Sequence, residues 1–346
     1  MQRLEKLRAL FSECDGVYIK DRANIFYYSG FTSEDGALLI TKDRAVLITD
    51  SRYLIQAKQE ASGFEIFNVA DGTDKLFEGI KRLGFEENSL TVAQFNLLGK
   101  KADKAELVEL GDKISRPRAV KEPGEIEKIK NAEALGDEAF LHILKIIKTG
   151  MREVDVAFEL ESFMRKNGAS GVSFDTIVAS GVRSAMPHGT ASEKIIEQGD
   201  FVTLDFGCVL DGYCSDMTRT VVMGRADQRQ REIYDIVLKA QTAGLEAAVA
   251  GMACAEVDKA ARKIIEDAGY GKNFGHSLGH SVGIEIHENP NFSPKSTALC
   301  ETGNVITVEP GIYIDGFGGV RIEDVVAITT KNAQNLTKSE KDLIII

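Results

Sequence analysis

The stretches 201-FVTLDFGCVLDGY-213 and 305-VITVEPGIYIDGF-317 match position by position at an offset of 104 residues, with Thr203/Thr307, Gly207/Gly311, Asp211/Asp315 and Gly212/Gly316 identical. Each reads as an apolar strand carrying a carboxylate late in its run, Asp205 or Glu309, followed by an Asp-Gly turn and a return run with a second carboxylate, Asp216 or Glu323. Asp-Gly between β-rich runs signals a hairpin, because both residues tolerate the backbone angles that a tight turn demands. Upstream, Gly150-Met151 with Glu153-Val154-Asp155 matches Gly251-Met252 with Glu256-Val257-Asp258 at nearly the same offset. The repeating unit is therefore helix, helix, strand and hairpin. Packed about a pseudo-twofold axis, the two copies would bring four carboxylates together. Like charges a few ångströms apart in a cleft either hold their protons or recruit cations.

Outward from this duplication, the chain divides. A length of 346 residues exceeds one ordinary core. The first ~115 residues alternate helical and short β-rich patterns, the signature of a layered α/β domain. Strands are expected at Gly16–Lys20, Ala37–Thr41, Ala45–Thr49, Phe64–Val69 and Leu90–Ala93, and helices at Leu4–Glu13, Ser51–Ser62, Asp74–Leu83 and Leu97–Leu107. Asp50 or Ser51 is expected to cap the helix that follows it. After Arg116-Pro117-Arg118, Glu122-Pro123-Gly124 opens a long amphipathic helix to about Lys148. The expected domains are residues 1–119 and 120–346.

Bulk composition excludes several classes. The net charge is −11 with no long basic run, a poor match to nucleic acid or an anionic membrane. No run of ~18 apolar residues could cross a bilayer, and the N-terminal MQRLEKLRALFSE lacks the apolar block of a secretory signal. The five cysteines (Cys14, Cys208, Cys214, Cys254, Cys300) are scattered without a CxxC pair, which argues for reduced thiols in a cytoplasm and against a thiolate zinc site.

His188, His276, His280 and His287 fall in loops or strand ends of the second domain. The glycine-rich run 275-GHSLGHSVG-283 lets backbone approach a site closely while imidazoles project into it. His276 stands four residues before His280, but Gly279 argues against a helix that would align them as joint ligands. Carboxylates plus one imidazole form an oxygen-dominated set suited to a pair of divalent ions such as Mn²⁺, Co²⁺ or Zn²⁺. Taken singly, Asp205 would be a turn or capping residue, as Asp211 and Asp315 are expected to be. The set of five carries the argument.

The motifs 180-SGVRSAMPHG-189, 203-TLDFG-207 with 212-GYCSDMTRT-220, 275-GHSLGHSVG-283 with 287-HENP-290, 308-VEPGIYI-314 and 320-VRIED-324 resemble those of the pita-bread metallopeptidases, the family of methionine aminopeptidase, proline aminopeptidase, proline dipeptidase and creatinase. The spacings agree: eleven residues between Asp205 and Asp216, seven between His280 and His287, fourteen between Glu309 and Glu323. The resemblance implies an α+β chain, with a pita-bread catalytic domain built on a pseudo-twofold repeat and preceded by a creatinase-like α/β N-terminal domain. It implies Asp205, Asp216, His280, Glu309 and Glu323 as ligands of two divalent ions, most often Mn²⁺. Glu309 would also carry the proton from the attacking water towards the leaving amine. His188 and His287 would hydrogen-bond the substrate carbonyl and the developing oxyanion. His276 would contact substrate or stand behind the ligands, and Arg321 would orient a ligand carboxylate.

The N-terminal domain places the chain with the proline-specific branch rather than with methionine aminopeptidases. Dipeptidases of that branch carry a basic residue after the His-Glu-x-Pro motif, where this chain has Asn291, although Lys295 is near. The expected activity is therefore Xaa-Pro aminopeptidase, with Xaa-Pro dipeptidase as the alternative, and peptides as partners of a homodimer. A non-catalytic peptide-binding scaffold of the same fold is disfavoured by the complete ligand set.

Overall fold

The computed structural model describes residues 2–9 and 12–346. Its contacts divide it into two compact units, Met1–Arg118 and Ala119–Ile346.

The first unit is built on six strands, β1 (Gly16–Ile19), β2 (Ala37–Thr41), β3 (Ala45–Thr49), β4 (Glu65–Asn68), β5 (Arg82–Phe85) and β6 (Glu106–Glu109), in the order β4-β3-β2-β1-β5-β6. The β2–β3 hairpin pairs Leu38 with Leu47 and Leu39 with Val46, all four buried. Helices α1 (Gln2–Ala9), α2 (Arg22–Ser29), α3 (Leu54–Glu60) and α4 (Val92–Lys101) complete the unit. Of the expected helix Leu4–Glu13, residues 10 and 11 lie outside the described residues.

Four expectations fail here. The helix expected over Asp74–Leu83 is a single 3₁₀ turn, Asp74–Leu76, before β5. The strand expected at Leu90–Ala93 is the entry to α4, because Thr91 and Gln94 form a reciprocal capping box. The helix expected to run to Leu107 stops at Lys101, and β6 pairs in parallel with β5. Asp50 does not cap α3: its carboxylate takes the Arg52 backbone N–H and guanidinium, and the helix starts after Tyr53.

The second unit repeats one plan. Its first half packs α5 (Pro123–Ile143) and α6 (Glu153–Lys166) against β7 (Gly171–Val172), β8 (Ile177–Ser180), β9 (Phe201–Phe206), β10 (Cys208–Leu210), β11 (Tyr213–Cys214) and β12 (Met217–Val222). Its second half packs α7 (Gln228–Ala247) and α8 (Cys254–Asp267) against β13 (Gly279–Ser281), β14 (Glu288–Phe292), β15 (Val305–Val308), β16 (Gly311–Ile314), β17 (Gly318–Arg321), β18 (Asp324–Ile328) and β19 (Ala333–Asn335). Strands β12-β9-β8 form one antiparallel sheet, and β13-β15-β18 form the middle of the equivalent five-stranded sheet. Each half has its own apolar core, around Phe140, Leu160 and Phe206 in the first and around Val237, Val257 and Ile306 in the second.

The two hairpins differ at their tips. Asp211 (φ 50°) and Gly212 (φ 79°) both lie in left-handed backbone, giving a two-residue turn between β10 and β11. Asp315, Gly316 and Phe317 make a three-residue link between β16 and β17, with Gly316 at φ 71°. Arg219 on β12 is 1% exposed, and its guanidinium donates to the Thr218, Glu323, Ser339 and Glu340 carbonyls and to Asp324. One side chain thus binds the first hairpin to the second and to the residues beyond it.

Gly207 has no room for a side chain, because a Cβ there would sit 1.9 Å from the Ser215 carbonyl oxygen. Gly207→Ala is expected to lower the unfolding free energy by about 1–3 kcal/mol or more, measured by denaturant unfolding. An unchanged midpoint would mean that the hairpin yields at no cost.

Candidate metal centre

Asp205, next to last on β9, stands opposite Thr218 of β12, which places Asp216, just before β12, on the same pair of strands. Glu309 follows β15, and Glu323 sits between β17 and β18. The halves meet through Thr218, whose hydroxyl donates to Glu323 Oε2 at 2.6 Å and whose carbonyl accepts the Glu323 N–H at 3.1 Å. All five expected ligands line one cleft of about 460 Å³, together with His188, His276, His287 and Arg321. Its apolar wall includes Phe174, Ile177, Pro187 and Ile286. That volume falls in the usual range for small-ligand sites. A smaller hollow of about 220 Å³ in the N-terminal unit contains none of the predicted residues.

Ligand-bearing atoms of Asp216, His280 and Glu323 lie within 4.8 Å of one another. His280 Nε2 is 3.4 Å from Asp216 and 3.5 Å from Glu309. Its Nδ1 faces the Ser281 carbonyl at 3.2 Å, which can only accept, so Nδ1 carries the proton and Nε2 offers a lone pair to the cleft. The rings of His280 and His287 meet edge to face with centroids 4.4 Å apart.

Behind the expected ligands stands a line of supporting groups. Arg321 donates to Asp205 Oδ2 at 2.5 Å, to the Thr218 hydroxyl at 3.1 Å and to the Tyr313 hydroxyl at 2.8 Å. Tyr313 in turn meets His276 Nε2 at 2.9 Å. The Thr307 hydroxyl donates to Glu309 Oε1 and accepts the His280 N–H. Glu133, fully buried on α5, accepts the Asp216 N–H at 2.8 Å and the Thr337 hydroxyl at 2.8 Å.

Sequence reading missed Tyr313, Thr218, Thr307 and Glu133. Tyr313 reads as one more apolar residue of a strand, and only its place in 308-VEPGIYI-314 marks it. Glu133 interrupts the apolar stripe of α5 beside Ala132 and Leu135, which was its one local signal. Lys295 is not among the cleft residues, whereas Asn291 is.

The electrostatics are those of charge held away from water. Burial raises the Asp216 carboxyl well above its ordinary value, and Glu323, Asp205 and Glu309 add to the shift. Glu323 is raised likewise by burial and by Glu309 and Asp205. Burial is also the main cause that pushes Glu309 up to about 8. His280 and His276 are lowered to about 4, chiefly by burial, and are neutral at pH 7. Asp205 Oδ1 and Glu323 Oε1 are buried without hydrogen-bond partners. Orphaned carboxylate oxygens are rare in a folded interior, and divalent cations would satisfy both while removing the mutual repulsion. The residues therefore fit a divalent metal centre.

Two outcomes follow for the purified protein. A carboxyl whose value is raised in the folded state contributes stability that is complete below its unfolded value and is lost as pH rises through its folded one. For Glu309 that loss extends from about 4.5 up to about 8, while the lowered histidines act in the opposite sense only below 6.5. Between pH 6.5 and 8 the melting temperature of metal-free protein should therefore fall, and saturating Mn²⁺ should flatten the curve; a metal-free curve that rises would contradict the assignment. Asp216→Ala should lose metal and turnover together, whereas His287→Ala should keep metal by atomic emission and lose about 100-fold or more in rate. Metal loss in His287→Ala would place that histidine among the ligands.

The chain is similar to known proteins along its whole length. Metallopeptidase family M24 matches residues 127–330, and the creatinase/prolidase N-terminal domain matches residues 3–120. An Xaa-Pro dipeptidase of Pyrococcus horikoshii is 43% identical over 95% of this chain and 94% of its own length. The structure of an Xaa-Pro dipeptidase from Bacillus anthracis superposes with a TM-score of 0.96 at 46% identity, covering 100% of this chain and 99% of that one. That of an X-Pro aminopeptidase from Thermotoga maritima gives 0.93 at 40% identity, covering 99% and 100%. With two buried hairpins presenting carboxylates to one cleft, and with likeness along its whole length, the chain belongs to metallopeptidase family M24 and is a hydrolase with a creatinase/prolidase N-terminal domain.

Proposed function

We propose that this hydrolase releases the N-terminal residue from in front of proline and acts on dipeptides, as an Xaa-Pro dipeptidase. The carrying observation is the cleft itself, in which carboxylates with unpartnered oxygens face an imidazole beside an apolar wall. The aminopeptidase expectation gives way to its alternative because the relatives from Pyrococcus horikoshii and Bacillus anthracis are dipeptidases matched over nearly their entire length. Asp205, Asp216, His280, Glu309 and Glu323 hold a pair of divalent ions, Mn²⁺ by preference, with Co²⁺ or Zn²⁺ able to replace it. When bound, such ions supply Lewis acidity to the scissile carbonyl and an acidified water.

The chain's own groups do the rest. Glu309, held by the Thr307 hydroxyl, accepts the proton of the attacking water and returns it to the departing proline nitrogen. His188 and His287 hydrogen-bond the carbonyl oxygen as it gains charge. Arg321 keeps Asp205 oriented and is itself braced by Tyr313, which His276 contacts. Phe174, Ile177, Pro187 and Ile286 receive apolar parts of the substrate, the pyrrolidine ring among them. The working assembly is a homodimer, and the compartment is the cytoplasm. No helix among the described residues is long and apolar enough to cross a membrane.

One observation favours the aminopeptidase reading. Among the described residues lining the cleft, Arg321 is the sole guanidinium or ammonium, and it is committed to Asp205, Thr218 and Tyr313. A dipeptide's free carboxylate would therefore be met by cleft histidines or by Asn291. Mn²⁺-loaded protein assayed on Ala-Pro, Ala-Pro-Ala and Met-Ala should cleave Ala-Pro fastest and spare Met-Ala. Turnover of Ala-Pro-Ala with Ala-Pro untouched would establish the aminopeptidase instead.

A further inference from the structure

Glu153 opens α6 and is fully buried, yet it belongs to no part of the reaction described above. Its Oε1 accepts the Ser180 N–H at 2.7 Å and the Ser180 hydroxyl at 2.8 Å. Its Oε2 accepts the Ser192 N–H at 3.1 Å, the Ser192 hydroxyl at 2.7 Å and the Arg183 guanidinium at 2.5 Å. One carboxylate thus grips both ends of the segment 180–192, in which His188 lies. Arg183 then reaches across the segment and donates its second nitrogen to the Thr190 carbonyl at 2.9 Å. The guanidinium closes the stretch 183–190 like a strut, with the exposed His188 at its crown.

The other half of the unit holds its own cleft histidine by the same means. Asp258 on α8 is 1% exposed and binds Arg262 through both carboxylate oxygens, and it accepts the Leu278 N–H at 3.0 Å. Arg262 donates onward to the carbonyls of Phe274 at 3.0 Å and His276 at 2.8 Å. Glu153 is the first residue of its helix and Asp258 the fifth, so the two clamps are not matched residue for residue. The device nevertheless recurs: a buried helix carboxylate, an arginine, and a loop that presents an imidazole to the cleft.

We propose that Glu153 and Arg183 are positioning residues for the hydrolytic reaction, holding the 183–190 loop so that the His188 imidazole meets the substrate carbonyl. This rests on the reading of His188 as a substrate-contacting group. Neither residue lies among those lining the cleft, so their effect on rate passes through His188. A misplacement of about 1 Å is enough to cost on the order of 100-fold in a reaction that depends on alignment.

The test is a double-mutant cycle on the Mn²⁺-loaded protein, with kcat and KM on the preferred peptide, metal content and unfolding midpoint measured for each variant. Arg183→Gln leaves Glu153 its bonds to Ser180 and Ser192, and should lower kcat by about 10- to 100-fold with metal content at the parent level. Arg183→Lys, which keeps the charge but loses the forked reach, should recover part of that loss. Combined with His188→Ala, Arg183→Gln should cost no more than His188→Ala alone, because the strut then has nothing to place. Losses that multiply, or a fall in metal content in Arg183→Gln, would overturn the proposal while leaving the role of His188 standing. His188→Ala at the parent rate would instead remove that role, and the positioning proposal with it.

Discussion

Negative charge held out of water is the constraint around which the catalytic unit is arranged. Asp205, Asp216 and Glu323 are each less than a tenth exposed, and their carboxyls face one another across the junction of two hairpins. Such a junction would push itself apart if every group ionised with nothing between them. The protein offers only partial relief. Arg321 neutralises one oxygen of Asp205, Thr218 donates to one oxygen of Glu323, and one oxygen of each carboxylate stays without a partner. The incomplete satisfaction is itself informative, because a purely structural cluster would have been paired off or replaced by apolar side chains. Here the free valences face a cleft large enough for a peptide.

The duplication explains how such a cluster can be assembled at all. A single hairpin brings two carboxylates near each other on adjacent strands; two hairpins related by a rough twofold bring four, each backed by its own helical pair and its own core. The copies have diverged both at their tips and in the cleft. The first turn takes two residues and the second takes three, and the first strand supplies aspartate where the second supplies glutamate. By strand register the counterpart of His280 on β13 is Ala179 on β8, and the histidine of the first half, His188, lies in the loop after that strand. Symmetry supplies the framework, and departures from it give each side of the cleft its own chemistry.

Much of this was legible in the sequence, for a physical reason in each case. The hairpin Ala37–Thr41 and Ala45–Thr49 was readable to the residue because β-branched and aliphatic runs flank a short polar turn. The internal repeat was readable because both copies need the same glycines: Gly207 and Gly311 leave no space for a Cβ, against the Ser215 carbonyl and the Tyr313 ring respectively. The four carboxylates stood out in the repeat, whereas His280 was singled out from its neighbouring histidines by resemblance to the pita-bread family. The region from Asp74 to Leu107 was misread because its strands pair in parallel with partners distant in sequence, a relation that local periodicity does not carry. Glu133 and Tyr313 escaped for a related reason. Their roles are set by contacts to Asp216 and Arg321, and nothing in a helix stripe or an apolar strand announces which polar atom will meet them.

Arg219 carries a consequence for the independence of the two halves. Its guanidinium lies inside the first half, but four of its five acceptors belong to Glu323, Asp324, Ser339 and Glu340, more than a hundred residues later. A first half closed over Arg219 alone would leave the guanidinium with one of these five partners, a buried cation at a cost of several kcal/mol. For all their separate cores, the two repeats share this side chain, and the earlier one has its hydrogen bonding complete only with the later one docked against it.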